Sequence, residues 1–285
     1  MWVMPPQDLG DLDQSLTSAL TLANGNAVYP LSAVERAAIL AVYELYDALL
    51  GQPDAALTPA DLNAARPYLQ AAYDQVQIGG RLAKLRERLL ASADQCPYCG
   101  FGEPRDLDHY LPRSVYGDLA IYPRNLVPSC SPCNNAKRTV VPGLGPAEGP
   151  GLIHAYFQAL PDADFLKADV AFLAGALEVC FEIDATQLDA GLAAKLQFQL
   201  DRLKLNARYR GQINIFLSEQ RTAMLMFREL EAALFAQYLV KCADDLAARF
   251  GRNDWRVALL RALSSNADFC AAPQDYLGSQ QAEAA

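Results

Sequence analysis

The sequence predicts a mainly α-helical protein that contains a small zinc-stapled module and one additional β-hairpin. Three observations support this fold class. Apolar residues recur at helical spacing over much of residues 1–93 and again from Thr186 almost to the end of the chain. Two Cys-x-x-Cys pairs enclose residues 96–133, and such pairs are typical of a structural zinc site. Residues 167–183 alternate imperfectly between apolar and polar types around a turn of small residues, which predicts a hairpin.

The N-terminal region, residues 1–93, is expected to be helical. Ser32 is placed to cap a helix, with Glu35 three residues later as its capping-box partner. A Thr-Pro pair predicts the start of another helix that extends from about residue 59 to residue 77. The next helix carries a cluster of cationic side chains, namely Arg81, Lys84, Arg86 and Arg88. Two interpretations of this cluster stay open, a solvated helix face or a contact with a nucleic-acid backbone.

The second region, residues 94–141, contains the predicted zinc site. Its four candidate ligands are Cys96, Cys99, Cys130 and Cys133. Four thiolates complete a tetrahedral zinc shell, so this metal would be structural and would leave no position for a substrate. The other three cysteines are scattered in apolar surroundings, and the odd total indicates a reducing cytoplasm rather than a disulfide framework.

Residues 96–138 resemble the HNH, or ββα-metal, endonucleases. The stretch reads CPYCGFGEPRDLDHYLPRSVYGDLAIYPRNLVPSCSPCNNAKR. In that family an Asp-His pair ends one strand of a hairpin, an Asn stands in the middle, and an Asn or His opens a short helix. These positions read Asp108-His109, Asn125 and Asn134 here. The resemblance implies a ββα-metal (HNH) module and a metal-dependent endonuclease that hydrolyses phosphodiester bonds of DNA.

The resemblance also implies a role for each of these residues. His109 would be the general base, because a neutral imidazole can take a proton from water near neutral pH. Asp108 and Asn134 would hold one catalytic Mg²⁺ or Mn²⁺ through their oxygen atoms. Asn125 would tie the loop together by hydrogen bonds to the backbone and so keep His109 in place. Three cations are candidates for phosphate contact, namely Arg113, Lys137 and Arg138.

Each assignment has a plainer structural alternative. His109 can instead be a fifth zinc ligand or a packed core histidine, and Asn134 can be a helix N-cap. The three cations can be solvated surface charges. Neighbouring residues point to opposite faces of an ideal strand, so Asp108 and His109 share one side only if the strand bends there.

The third region, residues 142–285, is expected to contain a linker at 142–151, the hairpin and a set of helices. One helix should extend to about Leu205 and a long one from about residue 206 to residue 249. Asp254 should start a shorter final pair, and the tail 280–285 should be disordered. His154 is expected to have no part in the site.

The chain carries a net charge of −9, which does not favour a DNA enzyme, because binding requires neutralisation of phosphates. Either the basic residues share one face or a partner supplies positive surface. Residues 200–212 read LDRLKLNARYRGQ and resemble, more loosely, the HNH subunit of Septu-like anti-phage defence systems, which works with an ABC-type ATPase. An ordinary basic helix is the alternative for this segment.

Two functions therefore stay open. The first is a DNA endonuclease in bacterial anti-phage defence that works with a partner ATPase. The second is a catalytically inactive zinc-stapled module that binds nucleic acid or protein. The sequence has neither a signal peptide nor an apolar stretch of the roughly 20 residues that a membrane span needs, so we expect a cytoplasmic protein without membrane contact.

Overall fold

The computed structural model describes residues 3–143, 149–173, 176–226, 231–273 and 276. The chain divides into two compact units between Leu160 and Pro161. The described residues are mainly helical and include two short antiparallel hairpins, which confirms the mainly α class and the additional hairpin. None of the described helices is both long and apolar enough to cross a lipid bilayer. The predicted division into three regions stays a prediction.

The first unit surrounds a short hairpin with helices. Its helices are α1 (Leu12–Ala19), α2 (Ala33–Ala48), α3 (Arg66–Ala72), α4 (Ala83–Ala91) and α5 (Ser131–Lys137). The predicted capping box is present at the start of α2. The Glu35 amide donates to Ser32 Oγ at 3.2 Å, and the Ser32 amide donates to Glu35 Oε2 at 2.9 Å. This start could be predicted because both partners lie within one turn.

The single helix predicted for residues 59–77 is wrong. The structure has a 3₁₀ turn at Ala60–Leu62, then α3, then a second 3₁₀ turn at Tyr73–Val76. Pro67 is the physical reason, because proline has no amide N–H and cannot continue a helix that begins before it. It lies instead in the first turn of α3, where it is tolerated.

Three of the four cations predicted at α4 make contacts within the first unit. Arg81 donates through Nε to the carbonyl of Ser18 at 2.6 Å. The guanidinium of Arg86 donates to the carbonyl of Arg105, and Arg88 lies 3.5 Å from the carboxylate of Asp8. These contacts position the helix, and a role in nucleic-acid binding stays a prediction.

The short hairpin of the first unit consists of β1 (Asp106–His109) and β2 (Leu126–Ser129). The strands are antiparallel, and His109 lies opposite Leu126. Helix α5 begins directly after Cys130, so two strands are followed by a helix. All residues of β2 are buried, which places this hairpin in the interior of the unit.

A segment after the predicted linker packs on the same hairpin. Tyr110 donates its hydroxyl to the carbonyl of Leu152 at 3.0 Å, and Tyr156 donates to the carbonyl of Leu126 at 2.8 Å. Residues 149–160 therefore belong with the first unit. Residues 144–148 of the predicted linker lie outside the described residues, as does the predicted disordered tail.

The second unit contains the longer hairpin and the remaining helices. These elements are β3 (Leu166–Leu173), β4 (Ala176–Ile183), α6 (Ala190–Arg202), α7 (Leu205–Met226), α8 (Ala232–Phe250), α9 (Trp255–Ser264) and α10 (Ala267–Ala271). The strands β3 and β4 are antiparallel, with Leu166 opposite Ile183. Residues 174–175 of the predicted turn lie outside the described residues. Asp254 caps α9 as predicted, since its carboxylate accepts from the Arg256 amide at 2.9 Å.

The long helix predicted for residues 206–249 is wrong as a single element. Helix α7 ends at Met226, and α8 begins at Ala232 with Glu231 as its N-cap. Residues 227–230 between them lie outside the described residues. The sequence contains no Gly or Pro near this break, so no local helix breaker marks it.

Candidate functional site

The four predicted zinc ligands come together. Their sulfur atoms all lie within 4.8 Å of one another, and all four side chains are buried. The sulfurs of Cys99 and Cys130 are 3.8 Å apart, which is too far for a disulfide bond. Sulfurs bound to one tetrahedral zinc through bonds of about 2.3 Å are about 3.8 Å apart. The cysteine cluster therefore suits a structural zinc ion.

The turn that carries the first Cys pair requires a glycine that the sequence analysis missed. The Cys96 amide donates to the carbonyl of Gly102 at 2.7 Å, and the Gly102 amide points at the sulfur of Cys99 at 3.4 Å. A Cβ atom on Gly102 would lie 2.7 Å from the sulfur of Cys130. This close approach excludes any side chain at position 102, and the signal for it was a glycine three residues after the pair.

Burial also shapes the chemistry of the cluster. It raises the pKa of the Cys96 thiol well above its ordinary value, because a buried thiolate loses its hydration. A bound divalent cation would reverse this effect by neutralising the thiolates, so deprotonation and zinc binding are linked. Among the described residues the metal-ligating group consists of the cysteines alone and does not include His109.

His109 ends β1 with its ring in a defined orientation. Its Nε2 lies 2.9 Å from the carbonyl of Ala120. A carbonyl can only accept, so in the neutral ring Nε2 carries the proton and Nδ1 keeps the lone pair. The ring packs edge-on against Tyr73, with centroids 4.3 Å apart. Burial lowers the pKa of His109 to about 3, so the imidazole is neutral at pH 7.

Asp108 is occupied by other side chains. Its carboxylate oxygens lie 3.1 and 3.0 Å from Nζ of Lys137, and one of them also accepts from the Tyr98 hydroxyl at 2.9 Å. The ammonium of Lys137 donates as well to the carbonyl of His109 at 2.6 Å. Only 3% of the Asp108 side chain and 2% of the Lys137 side chain are exposed. The predicted metal ligand and the predicted phosphate contact thus form one buried ion pair.

Burial raises the pKa of Asp108, while the neighbouring ammonium and the Tyr98 hydroxyl lower it. The ion pair therefore offsets part of the cost of desolvating the carboxylate. A divalent cation at Asp108 would compete with Lys137 for the same oxygens.

Asn134 faces a carboxylate that we did not predict. Its Nδ2 donates to Oδ2 of Asp106 at 3.3 Å. Asp106 and Asp108 are two residues apart in β1, so they share one face of the strand. The Asp-x-Asp spacing was the available signal. Asn134 is not a helix N-cap, because Cys130 holds that position in α5.

Asn125 is fully buried and ties together the loop between the two strands. Its Nδ2 donates to the carbonyls of Leu111 and Leu119 at 3.0 and 3.3 Å, and its Oδ1 accepts from the Leu111 amide at 2.8 Å. Oδ1 also accepts from the hydroxyl of Tyr46 at 3.1 Å. The loop that these bonds close contains Ala120, whose carbonyl holds His109.

The other two predicted phosphate contacts differ in position. The guanidinium of Arg113 lies 4.9 Å from the centre of the Tyr73 ring, the same ring that contacts His109. The Arg113 side chain is 39% exposed, and its guanidinium lies 3.7 Å from the carboxylate of Asp74. Arg138 is exposed and ends α5 with a φ of +56°, a conformation that side chains other than glycine rarely adopt. Arg113 is therefore the cation placed beside the imidazole.

No protein-family model matches this chain, and no solved structure matches it. A stretch of 53 residues is 40% identical to Protein ea31 of Escherichia phage lambda. The match covers 18% of this chain and 18% of that protein, so the chain spans less than a fifth of the length of this relative.

Proposed function

We propose that residues 94–141 form an HNH endonuclease module that hydrolyses phosphodiester bonds of DNA with a catalytic Mg²⁺ or Mn²⁺. The orientation of His109 carries this proposal. Its Nε2–H is engaged by the carbonyl of Ala120, so Nδ1 is the atom that can accept a proton. The order of the elements supports the proposal, because β1 ends at the Asp-His pair and β2 leads through Cys130 into α5.

His109 would take a proton from the attacking water through Nδ1. The bond from Nε2–H to Ala120 would strengthen as the ring becomes positively charged, which stabilises the imidazolium. A pKa of about 3 makes the ring a weak base, and Arg113 contributes to this depression. An anionic phosphate beside the ring would offset the charge of Arg113 and raise the pKa toward neutrality.

Asp108 and Asn134 would hold the catalytic cation, because a carboxylate and an amide oxygen are ligands that Mg²⁺ prefers. When bound, such a cation screens the phosphate and stabilises the departing oxygen. Lys137 must turn away from Asp108 for this to occur. Since Lys137 and Asn134 are three residues apart in α5, they share a helix face, and a displaced ammonium would stay beside the phosphate.

A plasmid assay tests this function. Purified full-length protein should convert supercoiled plasmid to the nicked form with Mg²⁺ or Mn²⁺ and should be inactive with a chelator of these ions. His109→Ala should abolish nicking, while its zinc content and fold persist. Val115→Ala is the control, because this side chain is exposed in the loop that follows β1. A His109→Ala protein that nicks as fast as the parent would contradict the proposal.

One observation favours the second function, a zinc-stapled binding module without catalysis. The carboxylate of Asp108 is satisfied by Lys137 and Tyr98. A protein that binds plasmid DNA or a protein partner, and never nicks with either metal, would support this alternative.

We also propose an ABC-type ATPase as the partner in anti-phage defence, in the cytoplasm. The net charge of −9 supports a partner that contributes positive surface. Gel filtration of the protein with the product of a neighbouring ATPase gene should give a joint peak, and nicking should rise in its presence. Separate elution of the two proteins, with unchanged nicking, would count against this partner.

A further inference from the structure

His154 is buried against the loop that holds the proposed general base, although its position in the sequence is outside the HNH-like stretch. Its Nδ1 accepts from the Tyr156 amide at 3.1 Å. An amide can only donate, so in the neutral ring Nδ1 carries the lone pair and Nε2 carries the proton. The Nε2 atom lies 2.8 Å from the hydroxyl oxygen of Tyr46. His154 therefore donates to Tyr46.

The position of the His154 ring is closely defined by its surroundings. A Cβ atom on Gly51 would lie 2.4 Å from Cδ2 of His154, so only glycine fits there. Gly51 also has a φ of +72°, which favours glycine for a separate reason. The ring centroids of Tyr110 and Phe157 lie 4.1 and 4.6 Å from the centroid of the His154 ring. This packing leaves the ring little freedom to turn away from Tyr46.

Tyr46 connects His154 to the loop between β1 and β2 through a second hydrogen bond. Because its oxygen accepts from His154, its hydroxyl hydrogen is available to Oδ1 of Asn125, at 3.1 Å. Asn125 in turn holds the carbonyls of Leu111 and Leu119. The next residue after Leu119 is Ala120, which accepts from Nε2 of His109 at 2.9 Å. A continuous set of hydrogen bonds and one peptide link thus joins His154 to His109.

We propose that His154 and Tyr46 are positioning residues that fix the orientation of the His109 ring through Asn125. Their catalytic significance rests on the function proposed above, whereas the structural connection does not. The two residues touch neither the proposed metal ligands nor the candidate phosphate contacts among the described contacts. The proposed effect on the reaction acts through the orientation of the His109 ring.

Tyr46→Phe is the first test, because it removes one hydroxyl and keeps the packed ring. Tyr43→Phe is the matched control in the same helix. The Tyr43 hydroxyl is buried without a hydrogen-bond partner among the described residues, and both rings pack against Tyr122. The two variants therefore differ mainly in whether the connection to Asn125 is cut.

The measurement is NMR of ¹⁵N-labelled full-length protein, which reports the tautomer of each histidine and the exchange of its ring N–H with water. The His109 signals are assigned with His109→Gln. In Tyr46→Phe we expect the Nε2–H of His109 to exchange on the order of tenfold faster, since the loss of one buried hydrogen bond has about this effect on an equilibrium. Tyr43→Phe should leave the His109 signals as in the parent.

Unchanged His109 signals in Tyr46→Phe would overturn the proposal. If Tyr46→Phe does not fold, His154→Asn replaces it, because Asn keeps an acceptor for the Tyr156 amide but is too short to reach Tyr46. Faster exchange of the His109 Nε2–H in His154→Asn would then support the proposal, and unchanged His109 signals would overturn it. A parent that nicks plasmid, together with unchanged His109 signals, contradicts the positioning role alone. Altered His109 signals in a protein that never nicks contradict the proposed function alone.

Discussion

The two hairpins share an antiparallel topology but are stabilised in different ways. In the hairpin β3–β4 exposed residues alternate with more buried ones, and one side packs on α9. In the hairpin β1–β2 every residue of β2 is buried, and β1 contains the buried carboxylate of Asp108. The long hairpin thus follows the two-sided pattern of an ordinary antiparallel sheet. The short one depends on specific partners, namely the cysteine cluster, the ion pair with Lys137 and the bonds of Asn125.

The buried polar groups of the two units also differ in which groups they hydrogen-bond. In the second unit, Asn253 accepts from the amides of Phe165 and Leu166 at 2.8 and 3.0 Å and donates to the carbonyl of Ala163 at 2.9 Å. Among the described residues, these three bonds hold only the backbone at the start of β3. In the first unit, buried Lys137 donates to the carbonyl of His109, and buried Asn125 bonds the loop that contains Ala120, the residue that accepts from His109. These two buried polar groups therefore act around one side chain.

Loss of the cysteine cluster should have the largest effect and should separate the two hairpins. Cys130→Ser should remove bound zinc and unfold the short hairpin, because a structural zinc site contributes on the order of 10 kcal/mol to folding. Cys180→Ser is the matched control, since Cys180 is exposed on β4. Zinc analysis and hydrogen exchange of the strand amides would check this. A zinc-free Cys130→Ser protein in which β1 and β2 exchange as slowly as in the parent would refute the comparison.

Removal of Lys137 should have the next largest effect. Lys137→Met leaves the carboxylate of Asp108 buried without its cation, which should cost about 3–5 kcal/mol of unfolding free energy near pH 7. Burial already raises the pKa of Asp108, and the variant should raise it further. A carboxyl with a raised folded-state pKa loses stability as pH rises through that pKa, so the difference from the parent should shrink as pH falls toward 4.

Denaturant unfolding of parent and variant at several pH values measures this difference. The double variant Lys137→Met/Asp108→Asn is the control, because it buries no charge and should recover part of the stability. A Lys137→Met protein as stable as the parent at pH 7 would indicate that a group other than Lys137 stabilises the carboxylate of Asp108.

Asn253→Ala should have the smallest effect of the three. It removes the side-chain partner of two amides and a carbonyl, and water that enters the space of the lost side chain should bond these groups, so the cost should stay near about 1–3 kcal/mol. We expect faster hydrogen exchange at Phe165 and Leu166, with zinc content and the amides of β1 unchanged. Altered exchange in β1 would contradict the expected independence of the two hairpins.

Features that depend on local spacing could be predicted from the sequence. The four cysteines, the Ser32 capping box, the long hairpin and the cap at Asp254 each depend on residues close in the chain. Pro67 was also visible in the sequence, and its effect on the helix at 59–77 was overlooked. The break between α7 and α8 has no Gly or Pro to mark it in the sequence.

The contacts of the candidate site could not be predicted in the same way. The pairing of Lys137 with Asp108 joins residues 29 positions apart, and the sequence gives no reason to prefer it over a phosphate contact. Asp106 had a local signal in its Asp-x-Asp spacing, whereas His154 was expected to have no part in the site, and its partner Tyr46 lies far away in the sequence, in α2. The zinc ligands depend on covalent spacing and could be predicted, whereas the environment of His109 depends on how the whole unit packs.

The embedding of the short hairpin has a consequence for protein engineering. The stretch at 94–141, which contains both cysteine pairs, looks like a cassette that could be excised and fused to another protein. Yet helix α2 supplies Tyr46, and the segment after the predicted linker supplies His154. A graft limited to residues 94–141 would bring the zinc ligands and the Asp-His pair but not these supports. A transferable piece therefore has to include both Tyr46 and His154, as the first unit does.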